Sequence, residues 1–169
     1  TIWVLTWINL RGVKEGKFVQ TSLTFIKTVA LALLVILALT IGRNADAVAA
    51  NFGAGQFFAG SPDFTMLFVI TFGAALTGSL FSADSWHSVT FAAAEVQNPA
   101  KNLPLAMLMG TGLVTGLSIL ANVGYLSVLP IHVAVDGATA IARGIDHATS
   151  DRVATAVMET IFGANGAAI

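Results

Sequence analysis

The chain has 169 residues, 56% of them apolar and only 10% charged, with a mean hydropathy of +0.81. A soluble domain carries about 25% charged residues, so this surface cannot be kept in water, and a soluble enzyme or a nucleic-acid binder is excluded. The net charge of −1 gives no basic field for nucleic acid, and the lack of cysteine removes disulfides and thiolate metal sites.

Residues Thr1 to Asn9 (TIWVLTWIN) are apolar but too short to span a bilayer, and they read as the end of a helix begun upstream. With no Met at position 1, no signal peptide and an apolar stretch at its last residues, the chain reads as a piece of a longer membrane protein. A compact basic turn follows, RGVKEGK, with Arg11, Lys14 and Lys17. Residues 18–42 then form a span built on VALALLVILALTI and interrupted by one charge, Lys27. Arg43 to Asp63 is a polar, glycine-containing loop with Pro62 near its end.

The next apolar segment, 64–97, is too long for one crossing. As a continuous helix it would reach about 50 Å against a hydrocarbon core of about 30 Å. Its centre, GSLFSADSWHS, gathers small and polar residues. Both facts predict a broken helix with an unwound middle, tolerated at membrane depth only beside protein or a wet cavity.

NPAKNLP is a short hinge, in which Asn102 is a candidate N-cap and Pro104 falls in the first turn of the next helix. That helix, 103–129, lies in a stretch free of Asp, Glu, Lys and Arg and closes at Pro130. Gly112 and Gly116 within it have the small-xxx-small spacing, read as general helix packing. Residues 133–160 carry mixed charge and two short helical patterns. In the second, Ser150 is a candidate cap, Asp151 suits the positive helix end, and Val153, Val157 and Ile161 form one stripe. Residues 160–169 begin a further apolar element. The basic excess of RGVKEGK and NPAKNLP places both in the cytoplasm, and the acidic balance of 43–63 and 131–160 places those outside.

Charges inside spans are functional candidates by default, which singles out Lys27 and Asp84. Lys27 also has a plain reading, snorkelling to the cytoplasmic headgroups. Asp84 has one too, as a carboxylate capping the second half of the broken helix, and that is compatible with an anion site at the same half-helix end. A catalytic triad of Ser85, Asp84 and His87 is rejected, because neighbours on one segment do not align as nucleophile, base and orienter. A metal site from His87, His132 and His147 lacks any ligand spacing, and no cofactor motif occurs. On composition, Phe81 and Trp86 read as packing residues, and Glu95 as an exposed charge or a partner for Lys101 or for a basic group on a missing helix.

The stretch LFSADSWHSVTFAAAEVQNPAKNLPLAM, followed by ANVGYLSVLP, resembles the sixth and seventh helices of amino acid permeases of the APC (amino acid-polyamine-organocation) superfamily. The combination F-x-x-[DG]-x-W with E-x-x-N-P-x-x-N-L-P points to L-type amino acid transporters and their bacterial relatives. WINLRGVKEGKFVQTSLTFIK is similar to the end of helix four and the start of helix five, and HATSDRVATAVMETIFG to the extracellular loop leading into helix eight.

The resemblance implies an all-α polytopic membrane protein with a five-plus-five inverted repeat of leucine-transporter type and a discontinuous central helix. It implies an integral, multi-pass protein of the plasma or bacterial inner membrane that carries amino acids by alternating access, without sodium, by proton coupling or exchange, and that is not an enzyme. Phe81, Ser82, Ala83, Asp84 and Ser85 match the helix-six side of the substrate site, Phe81 the aromatic gate, and Trp86 with His87 the wall of the side-chain pocket. Lys27 matches a helix-five lysine standing where sodium-coupled relatives hold the ion.

Ala83 and Ser85 replace a larger aromatic and a glycine, and His87 replaces a common Asn, which leaves selectivity open. The implied partners are an amino acid, the bilayer and the missing helices, helix one above all, so this piece alone is not expected to transport. Some family members need a single-span partner protein and others do not, and the short loops favour neither. The competing reading is a channel or proton pathway lined by Asp84, His87 and Lys27.

Overall fold

The computed structural model describes residues 3, 6, 13–55, 65–131, 133, 137–149 and 152–168. Within these, the side chains of 13–15, 82, 83, 85–87, 92, 95, 164, 167 and 168 are outside the description. The upstream helix end expected at 1–9, Arg11, Pro62, His132 and the Ser150–Asp151 cap contain or are residues outside the described set.

Every regular element among the described residues is a helix: α1 (Val13–Thr40), α2 (Ala45–Phe52), α3 (Met66–Ala83), a 3-10 segment (Asp84–Glu95), α4 (Pro99–Val128), α5 (Ala140–Arg143), α6 (Val153–Phe162) and a 3-10 tail (Gly163–Ala168). Two are long and apolar enough to cross a membrane: Gly16–Thr40 with mean hydropathy 2.4 and Pro99–Val128 with 1.8. Their apolar windows are only 11% and 0% buried, so they are not core helices of a water-soluble fold. The chain divides into two compact units, residues 1–48 with 120–169, and residues 49–119.

In the first unit, α1 forms because a long apolar run without an internal proline follows Gly16. Its end is closed by the N–H groups of Ile41 and Gly42, both donating to the Leu37 carbonyl at 2.9 Å. Ala38 of α1 meets Gly124 of α4, where an added Cβ would sit 3.2 Å from the Ala38 Cβ, so small residues set this close approach. Asn44 caps α2 by accepting the Asp46 N–H at 2.9 Å, and its own N–H donates to the Ser127 carbonyl at 2.9 Å.

The core of this unit joins Ala38, Val128, Leu129, Ala140, Ala156 and Val157. Val153 and Ile161 pack against it, so the four-residue stripe of α6 is the face turned inward. Thr139 caps α5 through the Ala142 N–H at 3.2 Å. Gly144 then turns the chain at φ 63° and ψ −164°, letting the Ile145 N–H reach the Pro130 carbonyl at 3.0 Å.

Arg143 links α5 to α6 through Glu159, with guanidinium–carboxylate distances of 3.3 and 3.4 Å and side chains 23% and 30% exposed. Arg143 also donates to the carbonyls of Gly137 and Ala138, each at 3.4 Å. Contacts this long and this wet contribute little. Glu159→Gln is expected to cost no more than about 1 kcal/mol, read as a small shift in the thermal unfolding of the full-length protein.

In the second unit, α3 is apolar on all sides and exposed on nearly all of them. Phe68 and Phe72, one turn apart, stack with ring centroids 5.8 Å apart and planes 9° from parallel. The hydroxyls of Thr71 and Thr77 donate back to the carbonyls of Leu67 and Gly73 at 2.9 and 3.1 Å, so they need no outside partner in an apolar medium.

The hinge differs from expectation. The helix starts at Pro99, ahead of Asn102, and Pro104 lies inside it. Asn98, in the left-handed region at φ 48°, supplies the carbonyl that accepts the N–H groups of Lys101 and Asn102 at 3.1 and 3.0 Å. Asn102 donates its side-chain amide to the Gln97 carbonyl at 2.6 Å and does not cap. The physical reason is that Pro99 already has the fixed φ of a first helical residue and no N–H to satisfy.

Candidate functional site

The long segment after Thr65 changes its winding where its polar residues become dense. α3 ends at Ala83, and the next twelve residues follow a 3-10 path. Asp84 has helical angles, φ −64° and ψ −30°, and its N–H donates to the Phe81 carbonyl, three residues back. Serine, threonine and aspartate compete for backbone hydrogen bonds and are weak α formers, and they are dense here: Ser82, Asp84, Ser85, Ser88 and Thr90.

This corrects two expectations. The middle is overwound where an unwound strip was expected, because the tighter helix keeps N–H groups paired in a segment that does not hold the α pattern. Asp84 is no cap of a separate half-helix, since a cap has extended backbone angles and Asp84 does not. A passage from four-back to three-back bonding also takes one carbonyl of the last α turn out of the ladder, leaving an acceptor free for another donor.

Phe81 stands on the last turn of α3 with 79% of its surface exposed, and Asp84 is exposed at the first position of the 3-10 segment. The backbone of Ser82 and Ala83 completes α3, and that of Ser85, Trp86 and His87 lies in the first turn of the 3-10 path; their side chains are outside the described residues. The seven consecutive residues Phe81 to His87 lie on one short stretch where the helix type changes. Lys27 is exposed midway along α1, in the other unit. Among the described residues, neither Lys27 nor Asp84 forms an ion pair, and no group of His, Asp and Glu able to hold a metal ion occurs.

Sequence reasoning passed over the facial sorting of α1, where polar residues recur at helical spacing between Lys17 and Thr28. A count at 3.6 residues per turn finds it.

The profile of the amino acid permease family matches residues 1–168. The b(0,+)-type amino acid transporter 1 of Oryctolagus cuniculus is 30% identical over 144 residues, covering 85% of this chain and 28% of that protein. The serine/threonine exchanger SteT of Bacillus subtilis (strain 168) is 32% identical over 122 residues, 72% of this chain and 25% of its own length. The large neutral amino acids transporter small subunit 2 of Mus musculus is 28% identical over 152 residues, with coverages of 83% and 26%. The chain thus spans about a quarter of the length of the curated relatives it matches. No solved structure matches it. All three relatives are named as transporters or exchangers, and none as an enzyme. With a profile match running through nearly every residue and apolar helices of spanning length within it, the chain belongs to the amino acid permease family.

Proposed function

We propose that this chain is part of a secondary active amino acid transporter that works by alternating access, independent of sodium and driven by protons or by exchange. The observation that carries the reading is the change of helix type at Asp84, inside an otherwise apolar segment of a chain similar to named amino acid transporters. The backbone carbonyl freed at such a change, with Phe81, Ser82, Ala83, Asp84 and Ser85 around it, suits the ammonium group of an amino acid. Trp86 and His87 follow as the wall beside the substrate's side chain. Lys27 supplies the coupling charge in place of a metal cation. The word exchanger in the name of the Bacillus subtilis relative favours counter-transport, and a multi-pass position in the plasma or bacterial inner membrane goes with this reading.

The test is uptake of radiolabelled amino acids by the full-length protein in proteoliposomes, under a pH gradient, a sodium gradient or internal unlabelled amino acid in turn. Saturable uptake driven by the first or the last, and indifferent to the second, is the expected result. A strict sodium requirement removes the coupling role of Lys27, and absence of uptake under all three overturns the transporter reading. Asp84→Ala is expected to lower uptake about tenfold, a loss of about 1.4 kcal/mol of interaction, with membrane insertion unchanged.

A further inference from the structure

The two helices of spanning length are packed at one end only. Among the described residues of α1, the buried ones are Val35 and Ala38, both near its last turn. In α4 they are Ala121, Gly124, Ser127 and Val128, all in its final part. The chain then folds α5 and α6 back onto these same two ends, so that Ala38, Val128, Leu129, Ala156 and Val157 share one core.

The junction is tight in three directions. A Cβ at Gly42, just past the end of α1, would stand 2.9 Å from the Ile161 Cγ1 of α6 and 3.1 Å from the Val128 Cγ2 of α4. One turn back, a Cβ at Gly124 would stand 3.2 Å from the Ala38 Cβ. Backbone hydrogen bonds cross the same place: the Asn44 N–H donates to the Ser127 carbonyl at 2.9 Å, and the Ile145 N–H to the Pro130 carbonyl at 3.0 Å. Parting α1 from α4 here would uncover Val128 and Leu129, both fully buried, and orphan the Asn44 N–H in the same movement. Interiors packed this closely yield little and pass a displacement on as a whole.

We propose that the ends of α1, α4 and α6 form a lock that stays closed throughout the transport cycle, so that at this end the three helices move as one body. This rests on the transporter reading and extends it: alternating access must move some helices against others, and the lock assigns a place where they do not part.

The test is a pair of disulfide staples in the full-length protein. The 169 residues contain no cysteine, so each double substitution supplies the two thiols of this stretch once cysteines elsewhere are replaced. Ala38→Cys with Gly124→Cys joins α1 to α4, with Cβ atoms a few tenths of an ångström closer than the usual disulfide range of about 3.5–4.5 Å. Gly42→Cys with Ile161→Cys joins the end of α1 to α6, since the Ile161 Cβ is one bond from a Cγ1 that lies 2.9 Å from the added Cβ. Copper–phenanthroline is the oxidant, and closure is read as loss of the gel shift given by a polyethylene-glycol maleimide. Both staples are expected to close fully, to the same extent with and without amino acid. Uptake in proteoliposomes is expected to stay within about twofold of the same variant kept reduced, because the staple fixes what does not move. A fall of about tenfold or more on closure, reversed by dithiothreitol, overturns the lock. Thiols that stay open to the maleimide, or that close only when amino acid is present, overturn it too. Uptake by the parent is measured separately: uptake there that closure abolishes removes the lock alone, and complete closure in a parent without uptake removes the transporter reading alone.

Discussion

Replacing Lys27 with alanine is expected to reduce driven amino acid uptake by at least about tenfold, a difference of about 1.4 kcal/mol, while leaving insertion of the protein intact. The expectation follows from where the charge stands. Lys27 lies inside a span of mean hydropathy 2.4, on a helix with no acidic residue from Gly16 onward, where a charged side chain is costly to hold. Alanine removes that cost and the charge together, so insertion improves or stays level as uptake falls. Lys27→Arg separates the two properties of the side chain. A guanidinium keeps the charge but does not release its proton, so the arginine variant is expected to lose any response to a pH gradient. The measurement is uptake in proteoliposomes under a pH gradient and under internal amino acid. Full uptake by the alanine variant under both drives removes Lys27 from the coupling mechanism.

Gly144→Ala is expected to be strongly damaging to the first unit. At φ 63° and ψ −164° the residue occupies a region open in practice only to glycine, which by itself costs any other residue about 1–3 kcal/mol. The added Cβ would also stand 2.6 Å from both the Pro130 carbonyl oxygen and the Val133 Cγ2. A carbonyl oxygen cannot rotate away as a side chain does, and this one also accepts the Ile145 N–H. The sum is about 3 kcal/mol or more, expected as a fall of several degrees in the unfolding temperature of the full-length protein in detergent. Gly163 is the matched control, with φ 66° and ψ −155° but nothing within 4 Å of an added Cβ. Gly163→Ala is expected to carry the conformational cost alone. Equal falls for the two variants refute the steric share assigned to Gly144.

These two glycines mark the limit of what the sequence alone makes legible. Hydropathy is enough to find the long apolar helices, because an uninterrupted run such as VALALLVILAL depends on no distant residue. A four-residue recurrence likewise suffices for the inward stripe of α6, since helical periodicity is local. The start of α4 is a closer matter. Pro99 and Pro104 both suit a first turn, and the choice of Pro99 rests on Asn98 adopting a left-handed angle that composition does not reveal. Gly144 is read in the sequence as one glycine among sixteen, and its special role comes from the Pro130 carbonyl, fourteen positions away. At the candidate site, the clustering of polar residues marks the segment 81–87 and predicts disturbance of the helix, but the kind of disturbance is set by competing backbone hydrogen bonds. Which side chains would face one another across a pocket is a property of several helices together, and no local pattern contains it.

The overwound segment between Asp84 and Glu95 also has a mechanical consequence. Twelve residues advance about 24 Å in a 3-10 path and about 18 Å in an α path, so rewinding this stretch as an α-helix would shorten it by about 6 Å. Each residue also turns through about 120° in one form and about 100° in the other, so rewinding all twelve would rotate one end against the other by about 240°. A local exchange of hydrogen-bond partners in this stretch would thereby become a screw motion, carrying the side chains beyond it along the helix axis and around it at once.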